Sequence, residues 1–296
     1  MVRYGKADEI LCHYVGQTEY GGEPSGAYTT TPIGYPIEIV PQFDPELRRV
    51  FALRSGSYAG EPIRILSGKE SVKWRITWLQ PDMGDYGGYV QKCLFTEGKN
   101  LWLLVRLYRD ASNNFQIVSR GLKCSQMTVR GSIGEPIQWT MELVGVDLST
   151  PDTLPGTPTF GEEPTGDPWD WDDCYLEYDA GGGMVEMGEV TDFEFRIETR
   201  LKPVYVFKST GAKVLDSLEE VEVLPSARIT ANLTSEEFLD YLVGKTEVDL
   251  RLNLGDGKYI QLNEGRFRAV EPTINLDDLI AQRLDFQART WSHNFT

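Results

Sequence analysis

The chain has 296 residues, 41% hydrophobic and 25% charged, a composition that excludes intrinsic disorder and exceeds the usual single-domain length of about 100–200 residues. Its 45 acidic and 29 basic residues leave a formal charge of -16, which excludes a broad phosphate-binding surface and a DNA-reading role. Cys12, Cys93, Cys124 and Cys174 stand apart with no CxxC pair, so neither a zinc site nor a dense disulfide framework is indicated.

The first ten residues, MVRYGKADEI, lack the apolar stretch of a secretion signal, and no run approaches the ~18 apolar residues of a membrane span. The expectation is folding in a reducing cytoplasm without membrane contact. Residues 1–35 are rich in Gly, Thr and Tyr and show no sustained period. They are expected to form an N-terminal arm that packs on another surface, such as a second subunit.

A first domain is expected over residues 36–148. Trp74 and Trp78 share the parity of one strand, Leu101 to Val105 is an apolar run, and Trp139 alternates with Met141 and Leu143. Between Asp82 and Phe95, the residues Tyr86, Tyr89, Val90 and Cys93 follow helical spacing. Residues 149–173, STPDTLPGTPTFGEEPTGDPWDWDD, combine repeated Pro with Gly and Asp and read as a linker without regular elements. Trp169 and Trp171 are expected to anchor it on a domain, since exposed indoles are costly unless they pack.

A second domain is expected over residues 174–296. Phe193, Phe195 and Ile197 alternate with Glu194, Arg196 and Glu198, which predicts a half-buried strand. Thr234-Ser235-Glu236-Glu237 has capping-box spacing before Phe238, Leu239 and Leu242, which predicts a helix stopping near Gly244. Val248, Leu250, Leu252 and Leu254 alternate with polar residues up to Gly255-Asp256-Gly257-Lys258, a hairpin turn before Tyr259 to Leu262. Leu284, Phe286 and Ala288 predict a closing strand.

The two halves align on one another in the same order, starting from an offset of roughly 154 residues. Leu47, Val50 and Phe51 fall on Leu201, Val204 and Tyr205, and the RIT of Arg75 to Thr77 falls on that of Arg228 to Thr230. The helical segments then coincide, Val105-Arg106-Leu107 meets Leu250-Arg251-Leu252, Thr128-Val129 meets Thr273-Ile274, and Met141 and Leu143 meet Leu284 and Phe286. The fold class expected is all-β, two tandem sandwich or barrel domains with one flanking helix each.

Catalytic signatures are missing from this sequence. His13 and His293 sit in no triad or metal motif, and there is no Walker loop, Rossmann glycine fingerprint or HExxH. Gly181-Gly182-Gly183 precedes a strand rather than a helix and reads as a flexible loop. Asp170, Asp172 and Asp173 miss the spacing and central glycine of an EF-hand and read as a solvated acidic linker. No enzyme activity and no cofactor are expected.

This acidic, duplicated β architecture, with FEFRIETRLKPVYVFKST and its counterpart IEIVPQFDPELRRVFALRS, resembles the tail tube proteins of long-tailed phages and related viruses. The resemblance implies a structural virion protein of the tail, assembled in the host cytoplasm. It implies stacked rings around a channel that viral DNA crosses without specific binding, each ring holding six tube domains, hence three two-domain chains. Other copies of the chain, a tail terminator, a tape measure protein and baseplate or sheath proteins are the partners it implies. A carboxylate-lined lumen suits that role, with Glu38, Glu194, Glu198 and Asp249 as candidate lumen residues. The long loops after Arg54 and Lys208, reaching about Ser71 and Glu222, are candidates for ring stacking through Ser55, Tyr58, Glu61, Ser209, Lys213 and Asp216. The alternatives are a distal tail or baseplate hub ring, and a carbohydrate-binding β module using Trp74, Trp78, Trp102, Trp139 and Trp291 as stacking platforms.

Overall fold

The computed structural model describes residues 9–17, 21–44, 47–50, 64–67, 71–81, 100–108, 114–145, 147–151, 153–162, 166–207, 213–232, 237–255, 257–273 and 281–294. In the first half the strands are β1 (Glu9–Gln17), β2 (Ala27–Pro32), β3 (Tyr35–Asp44), β4 (Leu47–Val50), β5 (Arg64–Ser67), β6 (Ser71–Leu79), β7 (Asn100–Tyr108), β8 (Asn114–Ser132), β9 (Gln138–Gly145), β10 (Asp147–Ser149) and β11 (Thr157–Phe160). The second half has β12 (Tyr175–Asp179), β13 (Val185–Glu186), β14 (Val190–Phe207), β15 (Lys213–Asn232), the helix α1 (Glu237–Gly244), β16 (Val248–Asn253), β17 (Tyr259–Thr273), β18 (Ala281–Gln287) and β19 (Thr290–Asn294). The protein is all-β.

Period-two alternation places the core. Phe193, Phe195 and Ile197 of β14 are buried, as are Trp74 and Ile76 of β6 and Trp139, Met141 and Leu143 of β9. Their polar neighbours share the opposite face of one continuous sheet, ordered β3-β6-β9-β8-β14-β15-β18-β17.

The pairing order is the same in both halves. It runs β3-β6-β9-β8-β7-β1-β2 in the first and β14-β15-β18-β17-β16-β12-β13 in the second. In both, one long strand, β8 or β17, pairs through its start with one sheet and through its end with the other. The register agrees too: Ile76 of the first RIT opposes Ile39 and Met141, and Ile229 of the second opposes Phe193 and Leu284.

Irregularities also recur at matching places. Ile37 and Thr191 are single extra residues in β3 and β14, and Ser125 and Arg268 are single extra residues in β8 and β17. A third bulge sets Trp102 against Arg120 and Gly121, and Asp249 against Asn263 and Glu264. Its last residue has positive φ in both halves, 62° at Gly121 and 52° at Glu264. Just beyond the β2 and β13 strands, Ile33 N–H donates to Cys12 O at 3.0 Å and Met187 N–H to Leu176 O at 2.8 Å. The β7–β8 hairpin is four residues longer than the β16–β17 hairpin, since Leu101 opposes Leu122 while Val248 opposes Gly265, and this displaces two expected alignments by two residues each. Leu103, not Val105, corresponds to Leu250, and Thr128 corresponds to Glu271 rather than Thr273.

Three expectations about irregular segments differ from the fold. Residues 9–17, expected within an arm, form β1 along the full length of β7, and β2 pairs in parallel with β11. That places β11 inside the expected linker. Its Thr157 and Thr159 lie outward while Phe160 and, before it, Leu154 pack on the small cluster of Trp102, Leu104 and Val118, so pairing with β2 and two apolar contacts order a Pro-rich segment. Trp169 is 3% exposed beside Trp139, and Trp171 stacks on Phe193 at 5.7 Å, the anchoring expected of them.

The third difference lies in β15. Lys213 and Asp216 were expected in a loop, but β15 starts at Lys213, and Asp216 is the extra residue of a bulge between Leu215 and Ser217. A second bulge makes Val221 extra, between Glu220 and Glu222. Each bulge reverses the parity of the residues after it, which hides the alternation of a strand. The expected helix at 82–95 lies outside the described residues, whereas α1 ends at Gly244 as expected, with Lys245 at φ 52°.

Candidate functional site

The polar face of the continuous sheet carries two grooves of about 570 and 560 Å³. The larger is lined by Glu194, Arg196 and Glu198 of β14, Arg228 of β15, Arg268 of β17 and Asp285 of β18. The other is lined by Gln42, Lys73, Arg75, Ser125 and Glu142 of the first half together with the less polar Leu201, Pro203 and Tyr205 of β14 and Leu218 of β15. By the pairing equivalence part of the two linings corresponds, since Arg228 matches Arg75, Asp285 matches Glu142 and the bulge residue Arg268 matches Ser125, while the second groove also spans the joint between the halves.

Carboxylates and guanidinium groups alternate on this face. Arg196 Nη2 lies 3.0 Å from Glu198 Oε2, Arg228 Nε 3.1 Å from Asp285 Oδ1, and Arg283 Nε 3.6 Å from the same oxygen. In the larger groove Glu194, Glu198 and Asp285 are balanced by Arg196, Arg228 and Arg268. The acidic excess of the chain therefore lies elsewhere. Sequence reasoning selected the carboxylates of β14 and passed over Arg196, although it shares their parity.

The four expected lumen residues do not gather in one place. Glu194 and Glu198 line the larger groove. Glu38 is exposed on β3, opposite Thr77 of β6, at the position that Asp192 takes in β14. Asp249 belongs to the other sheet, between β12 and β17. Its Oδ1 accepts the Glu264 N–H at 2.7 Å and its Oδ2 the Gln261 Nε2–H at 3.4 Å, so it caps the bulge that holds Glu264 at positive φ. Of the expected stacking residues, Ser55, Tyr58, Glu61 and Ser209 lie outside the described residues, and Lys213 and Asp216 belong to the strand already described.

Other groups that invite a chemical reading have structural roles. His13 Nδ1 lies 2.8 Å from Thr30 Oγ1 in a fully buried position. Asp179, with its carboxyl held below the usual range, accepts the N–H groups of Gly181 and Gly183 at 2.6 and 2.9 Å, so the glycine loop is closed on its own side chain. Asp170 accepts from Asp172 N–H at 2.9 Å and Asp173 from Asp170 N–H at 3.1 Å, capping one turn of 3-10 helix over Trp171–Asp173. Tyr178 of β12 donates to Glu237 and pins α1 on β12, while Tyr241 donates to the same carboxylate from within α1. Its own bond to Glu237, followed by burial, pushes Tyr241 up to about 12. Trp74, Trp78, Trp102 and Trp139 are at most 1% exposed, so they offer no stacking platform.

A family profile described as phage tail tube protein matches residues 20–288. No curated protein matches the chain. Among solved structures, a chain of the virion of a native gene transfer agent particle is 12% identical, with a TM-score of 0.33 over 42% of this chain and 98% of that one. A chain from the tail of an empty gene transfer agent particle is 12% identical, with a TM-score of 0.34 over 43% of this chain and 98% of that one. One from the anti-feeding prophage cap, a tube terminating cap, is 8% identical, with a TM-score of 0.33 over 45% of this chain and 95% of that one.

Proposed function

The chain belongs to the phage tail tube protein family, and from that premise we propose that it carries two copies of a tube domain and closes a tube ring as three chains. It is a structural protein of the virion tail, not an enzyme. The observation that carries the duplicated reading is the repeated pairing order with its three matched bulges. A bulge is a specific local geometry, and three in the same places have no reason to recur in unrelated β domains.

Six equivalent domains per ring allow one continuous sheet to close on itself, which removes exposed edges. The polar face with its two grooves lines the channel. On such a wall, carboxylates held against guanidinium groups present little net field to passing phosphates. At physiological salt, what remains is screened within about 8 Å. DNA slides along a near-neutral wall rather than being repelled by an acidic one. Further copies stack axially, and tail terminator, tape measure and baseplate or sheath proteins meet the two ends.

Electron microscopy of the purified chain at increasing concentration tests this reading. Stacked hollow tubes are expected. Rings that never stack would favour a hub protein of the distal tail or baseplate, and monomers at every concentration would contradict both.

A further inference from the structure

One joint between equivalent strand sets lies inside the chain, and its counterpart is open. β14 pairs on one side with β15 and on the other with β8, with Glu194 opposite Arg130, Arg196 opposite Thr128 and Ile197 opposite Met127. In the shared pairing order β14 corresponds to β3, and β8 to β17. Yet among the described residues β3 pairs along its length only with β6, and residues 266–273 of β17 only with β18.

We propose that β17 of one copy pairs antiparallel with β3 of the next, in the register that β8 and β14 display: Val40 opposite Thr273, Gln42 opposite Glu271 and Phe43 opposite Val270. The assembly rests on the tube reading above, whereas the register rests on pairing alone. Ile39 and Phe193 both oppose the isoleucine of an RIT, so Val40, Gln42 and Phe43 stand where Glu194, Arg196 and Ile197 stand. Met127 opposes Met141 and Val270 opposes Leu284, which fixes the other strand.

A second observation points to the same occupant. Beside β3 lies an apolar groove of about 250 Å³, lined by Ile37, Ile39, Pro41, Trp74 and Ile117, with Ile37 55% exposed. The corresponding surface of β14 is closed. Trp171 stacks on Phe193, Ile137 and Phe193 both press on Gly131 of β8, and Phe193 and Phe195 are at most 4% exposed. The first half of the protein covers the second. A preceding copy is the one partner whose surface matches the uncovered edge in the same way.

The joint between copies is weaker than the one within the chain. Ile133 N–H donates to Thr191 O at 3.1 Å, which makes the odd-numbered residues of β14 the hydrogen-bonded partners of β8. Phe195 and Val129 form such a pair, and their counterparts are Pro41 and Pro272, which have no N–H. Each proline forgoes its bond in any register, so their meeting adds no further loss. A foreign strand, however, finds a gap in each edge.

Cysteine cross-linking of the full-length chain tests the register. Gln42 and Glu271 correspond to a non-hydrogen-bonded pair, whose Cβ atoms lie about 4.5–5.5 Å apart and need only a small shift to form a disulfide. Cys93 is replaced by Ser in every variant, and among the described cysteines competition is limited, because burial pushes Cys124 and Cys174 up to about 12 and Cys12 is buried. Oxidation of assembled Gln42→Cys/Glu271→Cys chains is expected to give covalent rings. The yield should be roughly tenfold above that of Gln42→Cys/Ala269→Cys, which reports a two-residue slip. If the first pair prevents assembly, Val40→Cys/Thr273→Cys reads the same register. Tubes in which the slipped pair links equally well, or neither matched pair links, would overturn the register while leaving the tube reading intact. Failure of the unsubstituted chain to form rings or tubes would overturn the tube reading itself.

Discussion

Trp102 and Asp249 occupy the same place in the two halves, opposite the residues of the third bulge, and they face different surroundings. Trp102 is fully buried with Leu104 and Val118 under Tyr28, Leu154 and Phe160, contributed by β2, β11 and the segment before it. Across the equivalent face of the second half lie Asp249, Arg251 and Gln261. Arg251 stacks 4.4 Å over Tyr259 and lies 3.6 Å from Glu177. One pairing scheme therefore supports an apolar, covered outer face in one half and a polar, open one in the other. Pairing is set by the backbone and its bulges, while each outer face answers to whatever covers it.

Exchanging burial for solvent at this position gives the largest expected contrast. Trp102→Ala should lower folding stability by about 3–5 kcal/mol, because it removes an indole from a closed cluster. Asp249→Ala should cost only about 1 kcal/mol, the loss of two partly exposed hydrogen bonds. Denaturant titration of both variants checks the pair, and equal losses would break the comparison.

The joint between the halves comes next in size. A Cβ at Gly131 would meet Ile137 Cδ1 at 2.6 Å and Phe193 Cζ at 2.8 Å. Gly131→Ala should therefore cost about 1–3 kcal/mol through overpacking. Comparing the fluorescence of Gly131→Ala chains with and without Trp171→Phe during unfolding separates Trp171 from the other tryptophans and shows whether the loss falls at this contact. The smallest effect is a gain. Glu264→Gly gives the second half the residue that Gly121 supplies in the first, relieving a positive φ, and should stabilise the fold by about 0.5–1 kcal/mol in the same titration.

Much of the fold was legible because Phe193 to Thr199 of β14, Val248 to Leu252 of β16 and Gln282 to Phe286 of β18 bury alternate residues, so period two survives in their sequence. The parts that were not legible share a cause. In β15 the extra residues Asp216 and Val221 reverse the parity twice, and the longer β7–β8 hairpin displaces the internal alignment by two residues on either side of it. Arm and linker strands such as β11 are ordered by a partner distant in sequence, β2, which no local pattern reports. Of the site, parity alone put Glu194 and Glu198 on the polar face. The same parity carried Arg196, so the alternation of charge was present in the sequence and was read for one sign only. Parity also put Asp249 among the candidates on polar strand faces, and parity cannot tell one sheet from another.

The central claim, that one chain supplies two tube domains, is tested most directly by the symmetry of a single assembled ring in electron cryomicroscopy. A threefold ring of three chains is expected, in which six similar domains share one continuous sheet. A ring of six chains, or one whose two halves occupy different layers, would contradict it.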